Sequence, residues 1–130
     1  MTRVYVDIEA AAIGGSPESA NLDPAALRSL AFLTEAGHEV IVVAAAETEP
    51  AAELRAVAHE VVNEVPVRPE ASAWYLTTEV ERCLGASAKL RTVLIGAAPP
   101  AGSIHRCDAV ARDLQTAALE LLASEAMPPR

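Results

Sequence analysis

Residues 4–9 have the sequence VYVDIE, and this stretch decides the fold. The apolar run 4–6 predicts a buried β-strand, and the run ends at an acidic residue, Asp7. Further apolar runs then alternate with segments of helical spacing along the chain. This alternation predicts a parallel sheet, because each parallel connection has to cross a face of the sheet. We therefore expect an α/β fold, a three-layer sandwich around a central parallel sheet.

The other predicted elements follow from apolar runs and from helix-terminating residues. The predicted strands after the first lie at 40–43, 61–65, 74–76 and 93–95. The predicted helices begin after Asn21 or Asp23, after Thr48, at Thr78 and after Asp108, each of which has a side chain suited to capping. Thr78 and Glu81 have the spacing of a capping box, and Gly37 is placed to end the first helix.

Length and composition indicate a single folded domain. The 130 residues are 52% hydrophobic, which is enough for one core, so we expect one domain over residues 1–125 and a frayed tail over 126–130. No apolar run approaches the roughly 20 residues that a membrane-spanning helix needs. The early aspartate argues against a signal peptide, which predicts a cytoplasmic protein. Cys83 and Cys107 lack a CxxC or zinc spacing, and we expect two reduced thiols.

The charge distribution argues against nucleic-acid binding. Ten basic and eighteen acidic residues give a formal net charge of −8, and the basic residues are scattered along the sequence. Binding to phosphate backbones requires clustered cations, so no nucleic-acid partner is expected.

Functional residues of parallel sheets lie at the carboxyl ends of the strands. Asp7 and Glu9 follow the first predicted strand, Arg68 the third, and Thr77 and Glu81 the fourth. Each also has a structural interpretation. Asp7 can accept a hydrogen bond from a loop amide, Glu9 and Arg68 can lie in solvent, and Glu81 can close the capping box.

The order of these residues resembles the haloacid dehalogenase superfamily over nearly the whole chain. Members begin with a strand that ends in Asp-x-Asp, in which the first aspartate attacks phosphorus and the second acts as acid and base. The stretch VYVDIEAA places Asp7 at the nucleophile and Glu9 at the acid/base position. The stretch RCDAVARDLQTAALELLA, residues 106–123, is similar to the last strand and helix of the family.

The later motifs of the family are altered in this sequence. Ala44 or Ala45 stands where members have a serine or threonine, and Arg68 stands where they have a lysine. Thr77 replaces the first acidic residue of the metal-binding motif, and Glu81 lies near the second.

The resemblance implies magnesium as the cofactor. A cation offsets the repulsion between an attacking carboxylate and a phosphate, and Mg²⁺ prefers oxygen ligands. By resemblance, Asp7, Glu9 (through its backbone carbonyl) and Glu81 are the candidate metal ligands. Arg68 and Thr77 are the candidate phosphate-binding residues.

Two functions are compatible with these residues. The first is a catalytically impaired or non-enzymatic member that acts in binding or assembly. The second is a magnesium-dependent phosphohydrolase in which Asp7 forms an aspartyl-phosphate, with Glu9 as acid/base and Arg68 steadying the phosphate. The gaps where members insert a cap domain are about a dozen residues or fewer, so no cap is expected. By resemblance, a capless member acts on a large substrate or uses a protein or other macromolecular partner as its lid, and the alanine-rich surface is compatible with a homodimer.

Overall fold

The computed structural model describes residues 2–11, 22–46, 49–66, 69–83, 89–96 and 107–126. Its strands are β1 (Arg3–Asp7), β2 (Glu39–Val43), β3 (Glu60–Val62), β4 (Ala73–Thr77), β5 (Leu90–Ile95) and β6 (Ala109–Ala111). Its α-helices are α1 (Pro24–Glu35), α2 (Ala52–Val57) and α3 (Leu114–Ala126). Two short 3₁₀ turns follow β1 and β4, at Ile8–Ala11 and Val80–Arg82.

All six strands form one parallel sheet in the order β3-β2-β1-β4-β5-β6. The strand β1 lies in the interior of the sheet, between β2 and β4. Asp7 is in register with Val43 of β2, and Val6 is in register with Leu76 of β4. The carboxyl ends of these three strands therefore meet at one edge, as the alternating pattern predicts.

The two faces of the sheet are covered differently. The larger apolar cluster contains buried side chains from all three helices and from alternate strand positions; among them are Leu30, Leu33, Leu54 and Leu121. The smaller cluster lies on the other face and contains Tyr5, Ile41, Val43, Ala73, Tyr75 and Leu90, with Val62 and Val65 packed against it. Because side chains alternate along a strand, Asp7 and Thr77 share the face of this smaller cluster.

The helix α1 has the predicted termini. Asp23 accepts a hydrogen bond from the backbone N–H of Ala25, and Pro24 begins the helix. Gly37 has φ of +94°, a left-handed conformation that glycine adopts without steric cost. The helix α2 has only six residues, and its predicted cap Thr48 lies outside the described residues.

Two predicted helix starts are wrong. Residues 109–111, which follow Asp108, form the strand β6 and not a helix. The family resemblance implies a strand in this segment. The carboxylate of Asp108 accepts a hydrogen bond from the Thr92 backbone N–H. The helix α3 begins at Leu114 instead, where Asp113 accepts from the Thr116 N–H. Its last residue is Ala126, and the rest of the predicted tail, 127–130, lies outside the described residues.

The second wrong helix start is the predicted capping box at Thr78. Only a 3₁₀ turn over Val80–Arg82 follows β4 in the described residues, and no side chain caps it. The neighbouring Thr77 instead accepts a hydrogen bond from the Glu79 backbone N–H, and Glu79 keeps an extended backbone before the turn.

The expectation of reduced thiols is wrong as well. Cys83 and Cys107 form a disulfide, with their Cα atoms 4.9 Å apart. Cys83 ends the turn after β4, and Cys107 lies just before β6, so the bond spans the neighbouring strand β5. A separation of 24 residues gave no spacing signal, and only the order of strands brings the two side chains together.

None of the helices in the described residues has the length and hydropathy needed to cross a bilayer.

Candidate functional site

The site is centred on Asp7, the last residue of β1. Its neighbours in the sheet, β2 and β4, flank it on both sides, and the Asp7 side chain is completely buried. A carboxylate in such a place is costly unless its oxygens accept hydrogen bonds or meet a cation.

Three donors converge on the Asp7 carboxylate. The Tyr75 hydroxyl donates to Oδ1 at 2.7 Å, and the Thr77 hydroxyl donates to Oδ2 at 2.6 Å. Arg82 Nη1 also donates to Oδ2, at 2.7 Å. Tyr75 and Thr77 are two residues apart on β4, so the alternation of the strand points both toward Asp7. Every oxygen of the carboxylate is therefore in a short hydrogen bond.

Arg82 joins Asp7 to two further carboxylates. Its Nη1 lies 3.9 Å from Glu9 Oε2, and its Nε lies 2.8 Å from Glu79 Oε2. Glu9 Oε2 is shielded from solvent and has no hydrogen-bond partner among the described residues. The Arg82 guanidinium is thus the cation that faces three acidic side chains.

The pKa values of Tyr75 and Arg82 reflect this network. Burial raises the pKa of the Tyr75 phenol well above its ordinary value, and the charge and hydrogen bond of Asp7 raise it further. For Arg82, burial lowers the pKa, but the hydrogen bond and charge of Asp7 outweigh it and the net pKa lies above the ordinary value. Tyr75 is therefore a neutral donor, and Arg82 is a permanent cation.

A cavity of about 630 Å³ opens beside this network. Glu9, Glu81, Tyr75 and Arg82 line it, together with apolar residues that follow β2. Asp7 does not line the cavity, because Tyr75 and Arg82 stand between its carboxylate and the open space. A ligand in the cavity would contact the phenol and the guanidinium before it reached Asp7.

The structure brings some of the predicted site residues together. Asp7, Glu9 and Thr77 lie in or next to the network, and Glu81 is an exposed residue at the cavity wall. Thr77 is fully buried and its hydroxyl is directed at Asp7, away from the cavity. Arg68 lies outside the described residues, so its predicted catalytic and phosphate-binding roles stay predictions.

Sequence analysis missed Tyr75 and Arg82. A signal for Tyr75 exists, because it lies two residues before Thr77 and thus on the same face of the predicted strand. For Arg82 no pattern in the sequence indicates a role. Its approach to Asp7 depends on the turn after β4 folding back over the strand end.

The described residues do not fit a magnesium ion at Asp7. No group of three or more His, Cys, Asp or Glu side chains in the described part of the chain is arranged to hold a metal. The predicted ligand set of Asp7, Glu9 (through its backbone carbonyl) and Glu81 stays a prediction. A guanidinium at 2.7 Å from Oδ2 also occupies the space that an ion at about 2.0–2.1 Å from the same oxygen needs.

Comparisons with known proteins support the fold. No protein-family model matches the sequence, and no curated protein matches it. A crystal structure of D,D-heptose 1,7-bisphosphate phosphatase from Burkholderia thailandensis superposes with a TM-score of 0.63 and 16% sequence identity. The match covers 95% of this chain and 99% of the phosphatase chain, and that phosphatase is a haloacid dehalogenase superfamily member. Phosphatases of this superfamily generally use magnesium. The predicted capless α/β architecture is confirmed: this chain has the haloacid dehalogenase-like fold.

Proposed function

We propose that the chain is a catalytically impaired haloacid dehalogenase-like domain that acts by binding, not by phosphoryl transfer. The observation that supports this proposal is the state of Asp7. Its side chain has no solvent exposure, and Tyr75, Thr77 and Arg82 occupy both of its oxygens. A nucleophile needs a free lone pair about 3–3.5 Å from the atom it attacks, and the fully buried Asp7 carboxylate already uses most of its lone pairs in these three hydrogen bonds.

The cavity beside Asp7 supports a binding role. It is open to solvent, and acidic side chains of Glu9, Glu64 and Glu81 line it together with one cation, Arg82. An open site excludes water poorly, which weakens electrostatic catalysis but does not prevent recognition of a partner. We assign the cavity to a macromolecular partner, since by resemblance a capless member of this fold meets its partner or substrate at an uncovered edge.

The second candidate is the magnesium-dependent phosphohydrolase that acts through an aspartyl-phosphate on Asp7. Two observations favour it: Asp7 ends the interior strand β1, and the fold is shared with a phosphatase. This function requires Arg82 to withdraw from the Asp7 carboxylate during the reaction.

Phosphatase assays separate the two functions. Turnover of p-nitrophenyl phosphate with magnesium is measured for the wild-type protein and for Asp7→Asn. We expect no difference between the two, and no rise in melting temperature with beryllium fluoride and magnesium. Wild-type turnover above the Asp7→Asn level, or a beryllium fluoride shift that Asp7→Asn abolishes, would establish the phosphohydrolase instead.

A further inference from the structure

Arg82 occupies an unusual position for a partly exposed arginine. One nitrogen contacts the fully buried Asp7 carboxylate at 2.7 Å, and the same nitrogen lies 3.9 Å from Glu9 Oε2. A second nitrogen contacts Glu79 at 2.8 Å. The other ion pairs of the described residues join partly or largely exposed side chains; Arg55 and Glu49 are an example. Compared with these pairs of the described residues, the pair of Arg82 and Asp7 differs because its carboxylate has no solvent exposure.

The backbone on both sides of Arg82 is fixed. On one side, the Glu79 N–H donates to the Thr77 hydroxyl at 3.1 Å, which ties the turn to the end of β4. On the other side, Cys83 is buried and bonded to Cys107. The guanidinium is therefore held near Asp7 by its own contacts and by the chain that carries it.

A fixed guanidinium can supply the positive charge that the carboxylates require. A buried carboxylate needs a cation or hydrogen-bond donors to offset its desolvation, and Arg82 provides both through one group. The guanidinium differs from a metal ion in charge and geometry, because it donates hydrogen bonds along fixed directions and leaves no open coordination position.

We propose that Arg82 is a resident cation that takes the place of a divalent metal at the carboxyl end of β1, and that its guanidinium excludes magnesium from Asp7 and Glu9. This inference deepens the proposed function and rests on it, since a binding domain needs no exchangeable metal. The charge of Asp7 is thus offset permanently and without dependence on metal supply.

Magnesium titrations of the wild-type protein and of Arg82→Ala test the inference. Melting temperature is followed at constant ionic strength, and stoichiometry is measured by isothermal titration calorimetry. The wild-type protein is expected to show no specific shift. Arg82→Ala is expected to melt lower without metal and to gain about 4 °C at about tenfold excess of magnesium over its dissociation constant.

Three further variants make the test specific. Arg82→Lys keeps a cation near Asp7 and is expected to stay insensitive to magnesium. Arg55→Ala removes a solvent-exposed ion pair and serves as the matched control, again without a magnesium response. Asp7→Asn shows whether magnesium binds at the site. When this substitution is added to a variant that responds to magnesium, the melting-temperature shift disappears if the ion binds to Asp7.

Two outcomes would overturn the inference. The first is magnesium binding to the wild-type protein that Asp7→Asn abolishes; this measurement does not depend on whether Arg82→Ala folds. The second is a folded Arg82→Ala that gains no magnesium response. Magnesium binding to Asp7 of the wild-type protein without phosphatase turnover would refute the resident cation and leave the proposed function standing. Turnover in the absence of metal would refute the proposed function and leave the resident cation standing.

Discussion

At the scale of the residue, Asp7 shows how a buried carboxylate at the end of an interior strand is stabilised as a hydrogen-bond acceptor. A carboxylate offers about four lone-pair sites, and three short hydrogen bonds from Tyr75, Thr77 and Arg82 use most of them. Hydrogen bonds to charged groups contribute more to stability than neutral ones. In the proposed binding function, the same contacts that make the buried charge tolerable also keep it from reaching a substrate.

Replacing Thr77 and Thr92 by valine separates this network from simple burial. Thr77→Val removes a donor to a buried carboxylate and is expected to lower the free energy of unfolding by about 1.5–3 kcal/mol. Thr92 is equally buried, in the adjacent strand β5, but its hydroxyl has no partner among the described residues. Thr92→Val is therefore expected to be neutral or stabilising. Urea unfolding of both variants provides the measurement, and equal losses in the two would contradict a structural role of the Thr77 hydroxyl.

The raised pKa of Tyr75 predicts a specific loss of stability at alkaline pH. In the folded protein the phenol keeps its proton above its ordinary pKa of 10.0, while in the unfolded chain it loses it. The contribution of Tyr75 is therefore complete below that pH and declines as pH rises above it, by about 1.4 kcal/mol per pH unit. Tyr75→Phe is expected to reduce this decline.

Urea unfolding of the wild-type protein and of Tyr75→Phe across the alkaline range checks this expectation. The chain contains only two tyrosines, so phenolate absorbance in the ultraviolet that is present in the wild-type protein and missing in Tyr75→Phe belongs to Tyr75. A wild-type protein and a Tyr75→Phe variant with the same alkaline dependence would show that the pKa of Tyr75 is not raised in the folded protein.

At the scale of the element, the connection after β4 determines the site. A helix starting at Thr78 would place Glu81 in its first turn, as the capping-box spacing indicated. The observed 3₁₀ turn over Val80–Arg82 is shorter and carries Arg82 back to the end of β1. The disulfide then joins the end of this turn to the beginning of β6.

Reduction of the disulfide is expected to destabilise the protein. A bond that closes a loop of 24 residues stabilises a fold by about 3 kcal/mol, chiefly by restricting the unfolded chain. Denaturant unfolding with and without dithiothreitol measures this contribution. The Cys83→Ser, Cys107→Ser double variant is the control and is expected to match the reduced wild-type protein and not to respond to dithiothreitol. A response of the double variant would assign the effect to something other than this bond.

At the scale of the whole molecule, the two faces of the sheet have different structures. All three described α-helices contribute to the larger apolar cluster, and the face that contains Tyr5, Tyr75 and Asp7 meets the connections that follow β3 and β4. Right-handed crossovers explain this division, because the chain reverses its direction across the sheet after β3. The candidate site lies on the face whose covering is least regular.

Five of the six described strands and the first helix were predictable because their signals are local. The apolar runs ending at Asp7 and Val43, and the Asp23–Pro24 start of α1, depend on neighbours in sequence. The start of α3 was misplaced because Asp108 and Asp113 are both suitable caps, and the pairing of β6 with β5 decides between them.

By itself, the sequence determined the parallel α/β architecture and the placement of an aspartate at the end of the first strand, since apolar runs and helical spacing are short-range patterns. Only the tertiary structure decided the fate of that aspartate. Tyr75, Thr77 and Arg82 come from positions 68 to 75 residues away, and the disulfide partners are 24 residues apart. Hydrogen bonds over such separations depend on the three-dimensional course of the chain, which no local pattern of residues encodes.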